Sequence, residues 1–185
     1  MTAPVSTEFW SAFAVPEGYR AEIIRQELVV TGVPDLTHFR VQMGLLSLFD
    51  IYLPAGTEVV SGAEWEVQDD RGVVVMAPRP ALLVVRKGAP VGAEPPLLAI
   101  EVLAPGDHSL LNAGITRIEG KRLDYADHGL TDYLEIDPTA EFPVASRYEL
   151  RGGALVEVAR AAGDHTLVAE RPFHYELDPG ELVGP

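Results

Sequence analysis

The chain has no cysteine, only two lysines (Lys87 and Lys121) and no long apolar run. Without cysteine there can be no disulfide framework, thiolate zinc site or thiol nucleophile. That absence suits a cytoplasmic protein. The longest apolar stretches are of strand length, far short of the roughly 18 residues a membrane-spanning helix needs, so no membrane partner is expected. The opening Met1-Thr2-Ala3-Pro4-Val5-Ser6-Thr7-Glu8 lacks a basic segment followed by an apolar one, so no secretory signal is expected. Positive charge is scarce. Fourteen Lys and Arg face 28 Asp and Glu, for a formal net charge of −14. Tight nucleic-acid binders neutralise several phosphates with clustered cations, and the twelve arginines here are scattered. DNA is therefore disfavoured as a partner on charge.

What is present is an ordinary globular balance, 47% apolar and 23% charged, which excludes wholesale disorder. At 185 residues the chain fits one domain, 1–185. Its expected parts are a loose tail over 1–8, a core over 20–138 and a β extension over 146–183. Residues 8–14 read as a short helix capped by Ser6 or Thr7. Residues 21–31 read as one strand. Residues 35–52 read as a helix capped by Asp35, with Leu36, Phe39, Met43, Leu46 and Phe49 as its apolar stripe. Glu64–Gln68 alternates like a half-wet strand, and Asp69-Asp70-Arg71-Gly72 is a turn signal. The runs at 73–76, 81–85 and 97–103 read as strands covered on both faces. A helix is expected over about 113–128, stopping at Gly129, then a strand over 133–138 and a β meander from 146. The order implies an α+β (mixed α/β) fold, a central mixed sheet flanked by helices.

Two residues carry most of the chemical information. Glu101 is a carboxylate inside an apolar strand, and burying it unpaired would cost several kcal/mol. It is either a metal ligand or general acid/base, or half of a structural ion pair. Lys121 shares a helix face with Ile118 and Tyr125, which want burial, so the face turns its ammonium toward the sheet; a snorkelling stem is the alternative. The five histidines are scattered, and there is no phosphate loop or nucleophile elbow. The acids from Glu135 onward read as a wet outer face.

With those residues in view, a family resemblance emerges. Leu98-Ala99-Ile100-Glu101-Val102-Leu103-Ala104-Pro105 resembles the Glu-Val-Leu-Ser-Pro strand of the Uma-type restriction endonucleases (DUF820-like), members of the PD-(D/E)XK superfamily. Lys121 to Pro138 is similar to that family's next helix and strand, and Tyr19 to Val29 to its opening. The resemblance implies a restriction-endonuclease-like core, an endonuclease activity, DNA as substrate, and magnesium or manganese as cofactor if that activity is retained. Glu101 matches the family's Glu, Lys121 its Lys, and Glu22 an acidic residue near the metal; Tyr125 is a secondary candidate. The family's Asp is absent, because its Pro-Asp reads Pro78-Arg79 here, and Gln26 replaces a glycine. A guanidinium in the ligand position would oppose a cation by about 4 kcal/mol per unit charge at 4 Å. The expectation is that Arg79 pairs with Glu101, that no cofactor is held, and that Glu101 is the metal ligand if there is one. Three functions stay open: a metal-dependent nuclease with degenerate or lost activity, a nuclease fold repurposed as a small-molecule acid/base cyclase or isomerase using Glu101, Lys121 and Arg79, and a non-catalytic interaction protein. A homodimer is suggested by analogy alone.

Overall fold

Ser6 opens the first helix, α1 (Thr7–Ala12), its hydroxyl accepting from Phe9 N. The computed structural model describes residues 4–183. Of the expected loose tail, residues 1–3 lie outside the described residues. The rest is tied down: Val5 is buried and Ser6 pairs with Val73. The single strand expected over 21–31 is instead a hairpin, β1 (Tyr19–Ile24) and β2 (Glu27–Gly32). Arg25 and Gln26 turn it at φ 52° and 62°, the left-handed region that a tight hairpin turn demands and that glycine or asparagine usually supplies. Neither residue announces a turn, so the sequence hides it.

Helix α2 (Leu36–Tyr52) starts at Asp35, whose carboxylate accepts from His38 N. Its buried stripe is His38, Val41, Leu45 and Phe49. Leu36, Phe39 and Met43 of the expected stripe face solvent, with Leu36 63% exposed. The helix is apolar around most of its girth, so periodicity alone offers two stripes. Close packing selects one: a Cβ on Gly44 would stand 3.2 Å from Leu182.

The strands that follow are β3 (Thr57–Ser61), β4 (Val67–Gln68), β5 (Val74–Met76), β6 (Leu82–Arg86) and β7 (Leu98–Val102). The expected strand at 64–68 shrinks to β4, because Trp65 turns into the core, while β3 carried no clear signal. After a 3₁₀ turn at Pro105–His108 come α3 (Arg117–Asp127), β8 (Asp132–Asp137), β9 (Val144–Arg151), β10 (Ala154–Ala162), β11 (Leu167–Ala169), β12 (Tyr175–Leu177) and α4 (Pro179–Val183). Thr116 and Glu119 form a capping box that starts α3 later than expected, and Gly129 at φ 82° follows its end. Of the meander expected from 146, β9 and β10 pair as expected and continue from β8, but β11 leaves them to pair with β12.

The central sheet is six-stranded and mixed, ordered β10-β9-β8-β7-β6-β3, with β7 and β8 parallel. A parallel pair requires a crossover, and α3 supplies it. Because side chains alternate along a strand, Leu98, Ile100 and Val102 face α2, α4 and the β11–β12 pair. Ala99 and Leu103 face Trp65, Ile118, Tyr125 and Tyr133. Glu101 falls between Ala99 and Leu103, so it points under α3.

Candidate active site

Three segments bring charged side chains together beneath α3. Hairpin β1–β2 contributes Glu22, β7 contributes Glu101, and α3 contributes Arg117, Lys121 and Tyr125. The hairpin is tied to the segment that follows β5 through Ile23 and Ala77, which exchange backbone hydrogen bonds of 3.3 and 2.9 Å and so place Pro78-Arg79 beside Glu22. Gly120 lets the helix approach: a Cβ there would stand 2.7 Å from Leu111 and 2.9 Å from Ile24.

Lys121 is 0% exposed. Its Nζ lies 2.7 Å from Glu22 Oε1 and 3.0 Å from Glu101 Oε1. The inward-facing expectation for this lysine holds. Tyr125, one turn on, donates from its hydroxyl to Glu101 Oε1 at 2.6 Å. Arg117, one turn back, donates to Glu22 Oε2 at 2.9 Å and lies 3.4 Å from Asp107 Oδ1. Arg20 Nε stands 3.8 Å from Glu22.

The expected Arg79–Glu101 pair is not formed. The Arg79 guanidinium is 45% exposed and pairs with Glu64 at 3.0 Å. Only its backbone N–H reaches the cluster, donating to Glu22 Oε1 at 2.8 Å. The cation between the carboxylates is Lys121. The reason is geometric: a lysine on α3 enters from above a buried strand, whereas Arg79 sits at the rim beside an accessible acid.

The sequence reading missed Arg117, Asp107 and Arg20. Arg117 carried one usable signal, its spacing of four from Lys121, which puts both on one helix face. Glu135, expected on a wet surface, is buried instead. It is the register partner of Glu101 and meets Arg122 at 3.1 Å and the Tyr148 hydroxyl at 3.1 Å.

Burial and charge pull the two site carboxyls apart. Burial alone would raise Glu22, but Lys121, Arg20 and the Arg79 N–H outweigh it and hold the carboxyl at about 2. Glu101 goes up: full burial, with Glu22 and Asp107 adding repulsion, exceeds the pull of Lys121. Lys121 stays charged, since Glu101 and Glu22 overcome its desolvation. Burial beside Glu101 pushes the Tyr125 hydroxyl well above its ordinary range, so it remains a donor. The cluster thus holds one firm anion, one carboxyl inclined to protonation, and an ammonium between them.

This architecture has known counterparts. The family profile described as "Uma2: Putative restriction endonuclease" matches residues 7–178. The chain belongs to the Uma2 family. Its fold is similar to a crystal structure described as a "putative nuclease belonging to DUF820" from Anabaena variabilis, at 14% identity and a TM-score of 0.66, covering 97% of this chain and 98% of that one. No curated protein shows significant sequence similarity to it.

Uma2 membership raises the question of a divalent metal. Magnesium asks for a near-octahedral oxygen shell anchored by carboxylates with free lone pairs. Here both Glu22 oxygens accept N–H donors, and Glu101 Oε1 accepts from Lys121 and Tyr125. Arg20, Arg117 and Lys121 already balance Glu22, Glu101 and Asp107. The position after Pro78 supplies the cluster with a backbone N–H and no carboxylate. Among the described residues no three Asp, Glu or His side chains group as a metal shell would require. This donor set does not fit a resident magnesium or manganese ion. Among those residues, no helix is long and apolar enough to cross a membrane.

Proposed function

We propose that this Uma2 chain keeps the nuclease fold but has lost, or retains only residually, metal-dependent phosphodiester cleavage. One observation carries the reading: the ammonium of Lys121 sits between Glu22 and Glu101, in contact with both. A divalent ion would have to displace it, or lie against it at the repulsion two like charges feel at low dielectric. The overall charge of −14 argues the same way, because it opposes the approach of a polyanion.

What survives is acid/base equipment. A carboxyl with raised affinity for protons, hydrogen-bonded through Oε1 to a neutral tyrosine and a charged lysine, can give or take a proton at Glu101 on its other oxygen. That favours, as a second reading, a cleft reused for a small molecule, with Glu101 and Lys121 as the pair. Arg79 contributes its backbone N–H to Glu22 in that arrangement, not its side chain.

Incubation with supercoiled plasmid and either magnesium or manganese tests the first reading. The expected result is no nicking above a Lys121→Met control. Cleavage that disappears in Lys121→Met and Glu101→Gln would overturn it.

A further inference from the structure

Beside the buried cluster lies an open cavity of about 460 Å³, walled by the β1–β2 hairpin, the start of α2 and the Pro105–His108 turn. That volume is within the range of small-molecule sites. Four side chains lining it hold a buried polar atom without a hydrogen-bond partner: Arg20 Nε, Thr31 Oγ1, His38 Nδ1 and Arg117 Nε. Arg117 and His38 are 3% and 6% exposed. Buried polar groups are nearly always paired, and although Arg20 Nε stands 3.8 Å from Glu22 and the Arg117 Nη atoms meet Glu22 and Asp107, four such exceptions around one cavity describe a site left for an occupant to complete.

The chemistry of the four atoms narrows what that is. The arginine Nε atoms are N–H donors and accept nothing, so the occupant must present acceptor oxygens. Guanidinium groups select carboxylate and phosphate oxygens above neutral ones. Burial and the nearby Arg20 depress His38 to about 4, so near neutral pH its imidazole offers one donor without adding charge. Gly106 lines the cavity too, and a Cβ there would press within 3.3 Å of Arg117 Nη1. The N-terminus of α2, a 17-residue helix, adds the favourable end of its dipole, although the Asp35 carboxylate that caps it also lies at the wall. The cavity is discrete and holds two arginines, not a basic track, on a chain of strongly negative charge. A polynucleotide backbone would find no continuation.

We infer that this cavity binds a small molecule through an anionic oxygen group, a carboxylate or a phosphate, seated on Arg20, Arg117, Thr31 and His38. The inference rests on the reading that the cleft serves a small molecule in place of a metal and DNA.

The test is a titration of the full chain with inorganic phosphate and, separately, acetate, in metal-free buffer, followed through the His38 ring resonances. One or both probes should shift them with a Kd below about 1 mM. Thr31→Val, which keeps the side chain's shape, and Arg20→Gln should each weaken binding about 5–10-fold, while Arg86→Gln at the end of β6, which does not line the cavity, should not. Should Arg20→Gln fail to fold, Thr31→Val decides alone. No shift up to about 20 mM of either probe, or equal weakening by Arg86→Gln, would overturn the assignment. So would displacement of the probe by a DNA duplex at micromolar concentration, which would hand the cavity to nucleic acid. Metal is absent from this titration, so its failure leaves the proposed loss of cleavage standing. Plasmid nicking, conversely, would refute that loss while leaving a positive anion result in place.

Discussion

Each carboxylate of the cluster has its own role, and single substitutions separate them. Glu22 is the anion that Lys121, Arg117 and the Arg79 N–H all address. Replacing it with glutamine leaves buried cations without a counter-charge, an error that costs about 3–5 kcal/mol. Glu101 is inclined to protonation, and glutamine mimics the protonated form, so Glu101→Gln should cost less than about 2 kcal/mol. Chemical denaturation of the two variants gives the ordering, and a larger loss for Glu101→Gln would contradict it. His38 governs the acid side. Its folded value of about 4 lies below the ordinary 6.5, so the unfolded chain binds the proton more readily. Its contribution is full above pH 6.5 and lost as pH falls through 4, on the order of 3 kcal/mol in all. Asp124 runs the other way, since burial lifts it to about 6, but it cancels when wild type is compared with His38→Asn. The stability advantage of wild type over that variant should therefore shrink between pH 7 and 4; a flat difference would contradict the burial described. Glu101 and Lys121 were legible from sequence because each stood out locally, a charge in an apolar strand and a cation on an apolar helix face. Glu22 was reachable only through resemblance, and Arg117, Asp107, Arg20 and His38 not as site residues, because only the folded-over hairpin brings them together.

Elements were legible where caps and apolar runs agreed. Asp35 opened α2 and Gly129 closed α3 as expected, and β5, β6 and β7 followed their continuous apolar runs. The errors share a cause: tertiary contact chose among options that local pattern left open. The buried stripe of α2 was selected by its fit to the sheet and Leu182, and the Arg25-Gln26 turn is held from outside. Asp124 accepts from Arg25 N at 2.8 Å, and the Arg25 guanidinium reaches Asp124 and Asp127. That clamp ties the hairpin to α3 and keeps Glu22 against Lys121. The same docking depends on Gly120. Gly120→Ala forces its methyl against Leu111 and against the short, stiff branch of Ile24, and such overpacking costs about 1–3 kcal/mol. Thermal unfolding should show that loss. The Lys121 ammonium, drawn away from Glu22, should also exchange its protons faster in NMR. An unchanged melting temperature would mean that α3 does not pack as closely as described.

Over the whole molecule, the mixed sheet with helices on its faces was readable from the order of elements, and the family relationship from two short blocks. The electrostatic plan was not, because it depends on which cation reaches the buried carboxylates. Sequence pointed to Arg79. The fold delivers Lys121 and Arg117, and the proposed exclusion of a divalent ion rests on these two in place of Arg79. Manganese titration, followed by the loss of free-ion electron paramagnetic resonance signal, puts that consequence to measurement in the intact chain. Binding should be no tighter than about 1 mM, and unaffected by Glu101→Gln. A micromolar site that Glu101→Gln abolishes would show that the ion outcompetes the ammonium, and that this protein's cleft is a working metal centre.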